Sequence, residues 1–381
     1  MWIVFLKKGK ERKVKNNYPW IFKDELEDFM GDGEIGDIAN VFSYDKEFLG
    51  KGFFNPNSRI AVRMITREDE DIEHVISRKI LRAFAKRKFP TPFYRVVHGE
   101  ADGLPGLIID RYDDGFVMQV RCKGMELIKD LIKKVLVENF SPSFIYERSD
   151  FETKSDEDLE KACGTLYGKV PESLILTEHG VEYIVDVKKG QKTGFFLDQR
   201  MNRLLVRNAD GRRALDLFCY TGGFALNLAK AGFEVIGVDI SQDAIDTARE
   251  NAKRNSLEVS FERADAFEFL ENYKGSFDVI VADPPSFIKR KEERKKGIEY
   301  FKKLTDIISE HLKEGGMMVL CSCAYQMDIN LMIESIRKGV EGKGKIWRVE
   351  KITFQDVDHP WIAQIPESLY LKCIWVRCER W

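Results

Sequence analysis

Between Ala214 and Phe287 the chain spells, in order, ALDLFCYTGGFAL, VIGVDIS, DAFEFL and FDVIVADPPSF, a series of strand-end signals separated by helix-length stretches. Apolar runs spaced in this way are predicted to be parallel strands joined by helical crossovers. In an open parallel sheet, ligands bind outside the carboxyl ends of the strands, so residues far apart in sequence meet in one crevice. Asp216, Asp239, Asp265 and Asp283 all stand at or just past such ends, and the next run, MMVLCS, closes on Cys321-Ser322-Cys323. Four carboxylates and a cysteine pair are thereby expected along one edge of one sheet.

The alternation continues through a segment from 188 to 381: strands ALDLF, EVIGVD, VSFER, FDVIVAD and MMVLCS, with helices between them. The last two runs, IWRVEKITF and LYLKCIWVRC, lack a long intervening helix and are predicted to form an antiparallel edge pair. The fold class is therefore α/β, a doubly wound sheet with an antiparallel edge. Residues 1–70 read differently. Short alternating runs (WIVFL, EIGDIANVFS, FLGKGFF, IAVRMIT) broken by Gly, Asn and Asp predict a small β-barrel, with Tyr18-Pro19-Trp20-Ile21-Phe22 as an interruption between strands. Residues 71–187 form a mixed α/β segment: a helix over Asp71 to Lys88, a polar, glycine-rich loop from Tyr94 to Gly106, a strand LIIDRY, a helix near Met125 to Val137, a strand FIYER, an acid-rich loop from Ser149 to Lys161, and paired strands ending in VEYIVDV. The loop at 94–106 either reverses the chain or contacts RNA or a partner.

A length of 381 residues suits two or three domains. The apolar runs are strand-length, so no membrane span is expected, and a start without an apolar signal core predicts a cytoplasmic protein. Seven cysteines at irregular spacing, without a CxxC pair, point to reduced thiols and to no bound metal; Cys122, Cys163 and Cys373 read as packing residues. The net charge of −2 conceals a basic start: Lys7, Lys8, Lys10, Arg12, Lys13, Lys15 and Lys23 face a single acid, Glu11, giving +6 over 23 residues. Such a run is either a solvated face or a source of phosphate contacts.

The turn Phe218-Cys219-Tyr220-Thr221-Gly222-Gly223 lets backbone approach a ligand, and Asp239, followed by Ile240-Ser241, is placed to accept hydrogen bonds from ribose hydroxyls. A dinucleotide would call for GxGxxG, which this turn lacks. A sulfonium ligand instead favours an acid beside its amino-acid moiety, a position Asp216 can fill, so S-adenosylmethionine is the expected cofactor. Asp265-Ala266 would lie by the adenine, with Asp265 accepting from the exocyclic amine, while Phe267 packs its helix into the core. The stiff Asp283-Pro284-Pro285-Ser286-Phe287 turn either connects strand to helix or presents a carboxylate and carbonyls to a flat base on which Phe287 stacks. Beyond it, Lys289, Arg290, Lys291, Arg294, Lys295 and Lys296 make a phosphate-binding lip or a solvated helix start.

Cys321 and Cys323 share a strand face, with Cys321 one pleat deeper, so Cys323 is the thiol expected to emerge at the ligand-facing end. A strand-end cysteine is either a small buried hydrophobe or a nucleophile. Carbon 5 of a pyrimidine takes a methyl group only after a thiolate adds to carbon 6.

Taken together, the basic entry with its β-barrel resembles a PUA domain, and YRVVHGEADGLPGLIIDRY, KTGFFLDQR, ALDLFCYTGGFAL, ADPPSF, the SCA at 322–324 and DHP with IPESLYLK closely resemble the PUA-containing 23S ribosomal RNA cytosine-C5 methyltransferases over nearly the whole chain. The resemblance implies three parts: a PUA RNA-binding domain, a central α/β domain bearing a β-hairpin, and a class I methyltransferase domain. It also implies a homodimer acting on large-subunit ribosomal RNA. It maps the catalytic cysteine onto Cys323, makes Asp283 the residue that holds the cytosine and assists proton removal, and places Phe196, Gln199, Arg200 and Asn202 beside the cofactor. Two other readings stay open. One is N-methylation of an RNA purine, with Asp283 and the Pro284 carbonyl accepting from the amine and Cys323 structural; the other is a non-catalytic RNA-binding or assembly factor that keeps the fold as a scaffold.

Overall fold

A computed structural model describes every residue except 90, 151–156, 287, 289, 290 and 381. The chain divides into two compact bodies, one made of Met1–Leu174, Val185–Leu197 and Val357–Ser368, the other of Ile175–Ile184, Asp198–Asp356 and Leu369–Trp381.

The first body contains two sheets. A six-stranded sheet takes the order Trp20–Phe22, Ile60–Thr66, Phe48–Phe54, Ile38–Phe42, Trp2–Leu6, Leu26–Met30, with one parallel pair. Its inward residues Val4, Leu6, Ile21, Val41, Leu49, Phe54 and Val62 form a core, as the alternation of its strands requires. Trp20-Ile21-Phe22 is itself an edge strand rather than an interruption, because Ile21 supplies one of those inward positions. A five-stranded sheet, Ala162–Gly168, Phe144–Ser149, Gly115–Val120, Leu107–Tyr112 and Phe93–His98, packs against helices Ile72–Lys86 and Lys129–Phe140.

Two further expectations are corrected in this body. Residues 94–98 are not loop but the buried strand Phe93–His98. Arg95 is tolerated inside because it forks onto Asp110, at 2.7 and 2.9 Å, while its backbone N–H donates to Asp358 Oδ2 at 2.9 Å. Asp358 also meets His359 Nδ1 at 2.8 Å, so the DHP motif is built into this body. Cys163, read as a packing residue, is exposed on an edge strand.

The second body is a seven-stranded sheet. Its strands are β1 (Arg213–Leu217), β2 (Glu234–Asp239), β3 (Val259–Arg263), β4 (Phe277–Ala282), β5 (Leu312–Ser322), β6 (Lys345–Phe354) and β7 (Lys372–Arg380). Their order is β3-β2-β1-β4-β5-β7-β6, and β7 runs antiparallel to both of its neighbours. The expected α/β doubly wound sheet with its antiparallel edge is present. Leu215, Leu217, Ile280, Met318, Leu320, Ile374 and Val376 from the central strands pack with Phe301, Leu304 and Ile308 of helix Arg294–His311 and with Met332 and Ile336 of helix Ile329–Gly339. Helix starts are set by side-chain caps: Ser241 accepts from Ala244 N at 3.3 Å, and Asp328 from Leu331 N at 3.0 Å. Among the described residues no helix is long and apolar enough to cross a membrane.

Candidate active site

The strand order reverses between β1 and β4, so the carboxyl ends of these two strands flank the crevice that a doubly wound sheet offers to ligands. Asp216 is on β1, paired in register with Gly237 of β2 and Val281 of β4, and Asp283 follows β4 directly. The chain leaves β1 through a strained turn in which Phe218 (φ 63°), Tyr220 (φ 48°) and Gly222 (φ 85°) all take the left-handed region. Only glycine adopts that region freely, and each of the other two costs about 1–3 kcal/mol. Neighbouring groups hold the turn: Cys219 N donates to Val238 O at 3.0 Å, Tyr220 N to Asp239 Oδ2 at 2.9 Å and Gly222 N to Cys219 O at 2.8 Å. At Gly222 a Cβ would also stand 3.1 Å from Phe261.

Asp216 is fully buried. Its Oδ2 accepts from Ala225 N at 2.8 Å, in the helix Gly223–Lys230 that follows the turn, while its Oδ1 has no partner among the described residues. Burial holds this carboxyl well above the usual carboxylate range, and the negative charges of Asp283 and Asp239 push the same way against the Ala225 hydrogen bond. Thr221 Oγ1, in the same turn, is a second buried oxygen without a partner. A buried acceptor left unpaired costs free energy, and a group able to donate to these two atoms would offset that cost.

Asp239 ends β2 with both oxygens braced, Oδ1 by Ser241 N at 2.9 Å and Oδ2 by Tyr220 N. Each oxygen retains a lone pair, the requirement for receiving a pair of hydroxyls. Ile240 beside it is 68% exposed, an apolar side chain held out at the crevice edge. Asp265 caps the helix Ala266–Asn272 through Oδ1, accepting from Phe267 N at 2.8 Å and Glu268 N at 3.2 Å, which leaves Oδ2 uncommitted. Ala266 is buried beneath it, and Phe267 packs half-buried against the core.

The residues near 200 are tied to the same strand ends. Gln199 donates from Nε2 to Asp283 Oδ2 at 2.9 Å and accepts on Oε1 from Asn202 Nδ2 at 2.7 Å and from Cys373 Sγ at 3.7 Å. Arg200 is committed to Asp356, at 2.9 Å, and to Glu178, at 3.7 Å; Arg203 forks onto Glu178, with both contacts at 2.7 Å. Phe196 lies in the other body, half-buried with Lys192 Nζ 4.3 Å from its ring centroid. Pro284 is buried, and Phe287, Lys289 and Arg290 lie outside the described residues.

Four cysteines gather at these strand ends, and three of them, Cys219, Cys321 and Cys373, are buried. Burial raises all three thiols, and Cys321 is raised further by Cys373, its partner in the β5–β7 register. Cys323, one residue past β5, is half-buried. Two residues to which the sequence reading gave no part in the site also stand here. Cys373 is buried, as a packing residue is expected to be, and in addition accepts from Asn202 Nδ2 at 3.4 Å and donates to Gln199. Lys372 is buried at the start of β7; the available signal was a lone charge within the apolar run LYLKCIW. Among the described residues no group of three or more His, Cys, Asp or Glu side chains could hold a metal ion.

A model of PUA-like domains matches residues 4–67, and a model of methyltransferase domains matches residues 208–364. A protein of Aeromonas hydrophila subsp. hydrophila, ribosomal RNA large subunit methyltransferase I, is 36% identical over 394 residues, covering 99% of each chain. Its namesake in Shewanella amazonensis is 37% identical over 383 residues, covering 96% of this chain and 97% of the relative. Among solved structures, a Streptococcus mutans chain described as a SAM-dependent methyltransferase superposes with a TM-score of 0.85 at 22% identity, over 99% of this chain and all of that one, a likeness of fold.

Proposed function

The chain belongs to the ribosomal RNA large subunit methyltransferase I family, and from that premise we propose that it transfers a methyl group from S-adenosylmethionine to carbon 5 of a cytosine in large-subunit ribosomal RNA, with Cys323 as nucleophile. The observation that carries this reading is the contrast in burial among the four strand-end cysteines: only Cys323 reaches beyond the core. A thiol held in the apolar interior resists ionisation, and the thiolate is the nucleophile.

The residues fit the cofactor. Asp216 Oδ1 is the unpaired buried acceptor suited to an ammonium, Asp239 has the lone pairs for the ribose, Ile240 offers an apolar face to the adenine, and Asp265 keeps one oxygen for its amine. When bound, S-adenosylmethionine supplies a methyl group on a positively charged sulfur. On the RNA side, the Cys323 thiolate adds to carbon 6, and the electron pair of the 5,6 double bond moves to carbon 5. Carbon 5, now electron-rich, would take the methyl group that the bound cofactor would supply, the sulfur keeping the bonding electron pair. Loss of the carbon-5 proton to a base re-forms the double bond and expels the thiolate. Asp283 is assigned to hold the cytosine and assist that proton removal, and Gln199 fixes its orientation.

RNA binding is assigned to the N-terminal sheet. Of its seven early cations, Lys7, Lys13 and Lys15 are engaged by Asp24 O, Glu25 and Glu47, whereas Lys8, Lys10, Arg12 and Lys23 are exposed and, among the described residues, uncommitted. The deciding experiment is covalent trapping. Enzyme, cofactor and ribosomal RNA carrying 5-fluorocytosine are digested and analysed by mass spectrometry. Fluorine at carbon 5 blocks release, so an adduct on Cys323 is expected; methyl transfer to unmodified RNA with no adduct would shift the reading to a purine amine held by Asp283 and Pro284. A homodimer remains the expected assembly, and sedimentation of the purified chain tests it.

A further inference from the structure

Lys372 opens β7 and is 3% exposed. Its neighbour across the ladder is Ser322, the last residue of β5, and its Nζ reaches on to donate to Ala324 O at 2.7 Å and to Tyr370 O at 2.8 Å. The ammonium is therefore anchored to the residue after Cys323 from a strand position opposite the residue before it. An ammonium has three N–H donors, and two are used here. Among the described residues no carboxylate lies within ion-pair distance of it, an unusual state for a buried charge, which is ordinarily paired. Burial lowers its pKa to about 8, against the opposing pull of negative charge at Cys323 first, then Asp328 and Cys373. Asp328 spends Oδ1 on capping the helix Ile329–Gly339, while Cys373 and Cys321 are held protonated by burial. Asp283, past the adjoining strand β4, is tied to Gln199.

We propose that Lys372 is a positioning residue whose ammonium holds Cys323 in the thiolate form. The inference rests on the reading of Cys323 as the nucleophile, and it explains a buried cation that the packing of the sheet does not need. The two charges support each other. The ammonium favours the thiolate, and the thiolate favours retention of the lysine proton, so the pair gains what neither has alone in an apolar setting. When the thiolate bonds to carbon 6, its negative charge leaves, and the ammonium is then free to settle the next anion formed there.

The test measures alkylation of Cys323 by iodoacetamide as a function of pH, by mass spectrometry of its peptide, in the full-length protein without RNA. In the unsubstituted protein, half-maximal alkylation is expected clearly below the ordinary thiol value of about 8.5. Lys372→Met and Lys372→Gln are expected to move the profile upward by about one pH unit, roughly a tenfold lower rate at neutral pH, whereas Lys372→Arg keeps it low. Calorimetric binding of S-adenosylmethionine confirms that each variant is folded. An ordinary profile in the unsubstituted protein, an unmoved profile in either uncharged variant, or an arginine variant as impaired as the methionine one would each overturn the proposal. The two readings fail separately: a depressed profile without a 5-fluorocytosine adduct removes the nucleophile and leaves the Lys372–Cys323 coupling, while an adduct with an ordinary profile removes only the role of Lys372.

Discussion

Replacing Asp216 by Asn separates what this residue does for the fold from what it does for the cofactor. The amide keeps the shape and an oxygen for Ala225 N, now 2.8 Å from Oδ2, but it cannot carry a charge to meet an ammonium at the unpaired Oδ1. A hydrogen bond to a charged group is worth about 1.5–3 kcal/mol, so S-adenosylmethionine should bind about 10- to 150-fold more weakly by isothermal titration calorimetry. Without cofactor the effect on stability has the opposite sign. Burial holds the folded Asp216 carboxyl well above its usual range, so the folded protein keeps this proton more tightly than the unfolded chain, in which an aspartate ionises near pH ~4. Stability therefore falls as pH rises from that value towards the folded one and levels off above it. The asparagine variant does not undergo this fall, so its melting temperature without cofactor should match or exceed that of the unsubstituted protein at neutral pH, with an advantage that widens as pH rises from about 4. A cationic ligand meeting Asp216 also lowers the carboxyl's hold on its proton, so the binding enthalpy should depend on the buffer's ionisation heat in the unsubstituted protein and lose part of that dependence in the variant. Equal affinities for the cofactor, or a variant that melts lower without it, would refute the assignment of Asp216.

Cys323→Ala should abolish methyl transfer and the 5-fluorocytosine adduct while leaving cofactor affinity within about twofold, because no cofactor contact is assigned to it; retained transfer, read by tritium release from labelled RNA, would exclude the thiol mechanism. Changing Lys8, Lys10 and Arg12 together to Ala should weaken RNA binding and flatten its salt dependence by about two counterions, measured by fluorescence anisotropy across a potassium chloride series; an unchanged slope would return this stretch to a solvated face. Arg203→Met strands Glu178, which is 4% exposed and held by both arms of that guanidinium, and should cost about 3–5 kcal/mol in urea unfolding; a loss under 1 kcal/mol would mean that Arg200 alone satisfies it.

The parts of this molecule legible in its sequence are those governed by local repetition. Apolar runs ending on Asp216, Asp239 and Asp283 disclose parallel strands because every such strand buries both faces, and the carboxylates stand out against them. Cys321 and Cys323 could be told apart by pleat depth on the same ground. What stayed hidden depends on partners distant in the chain. Arg95 makes Tyr94 to His98 look like a loop until Asp110 and Asp358, 15 and 263 positions away, are seen to pair with it. Gln199 could be placed near the cofactor only by resemblance, and its link from Asp283 to Cys373, 84 and 174 positions off, has no periodic trace. Lys372 is the informative middle case. Its charge inside LYLKCIW breaks the pattern visibly, and a break in an otherwise buried strand calls for a compensating partner. Periodicity marks where the compensation is needed, but only the antiparallel register opposite Ser322 shows that the partner is the backbone around Cys323. A single charged residue within an apolar run of a strand flanked on both sides is thus a position to test for a role, because the packing of the sheet alone does not call for it.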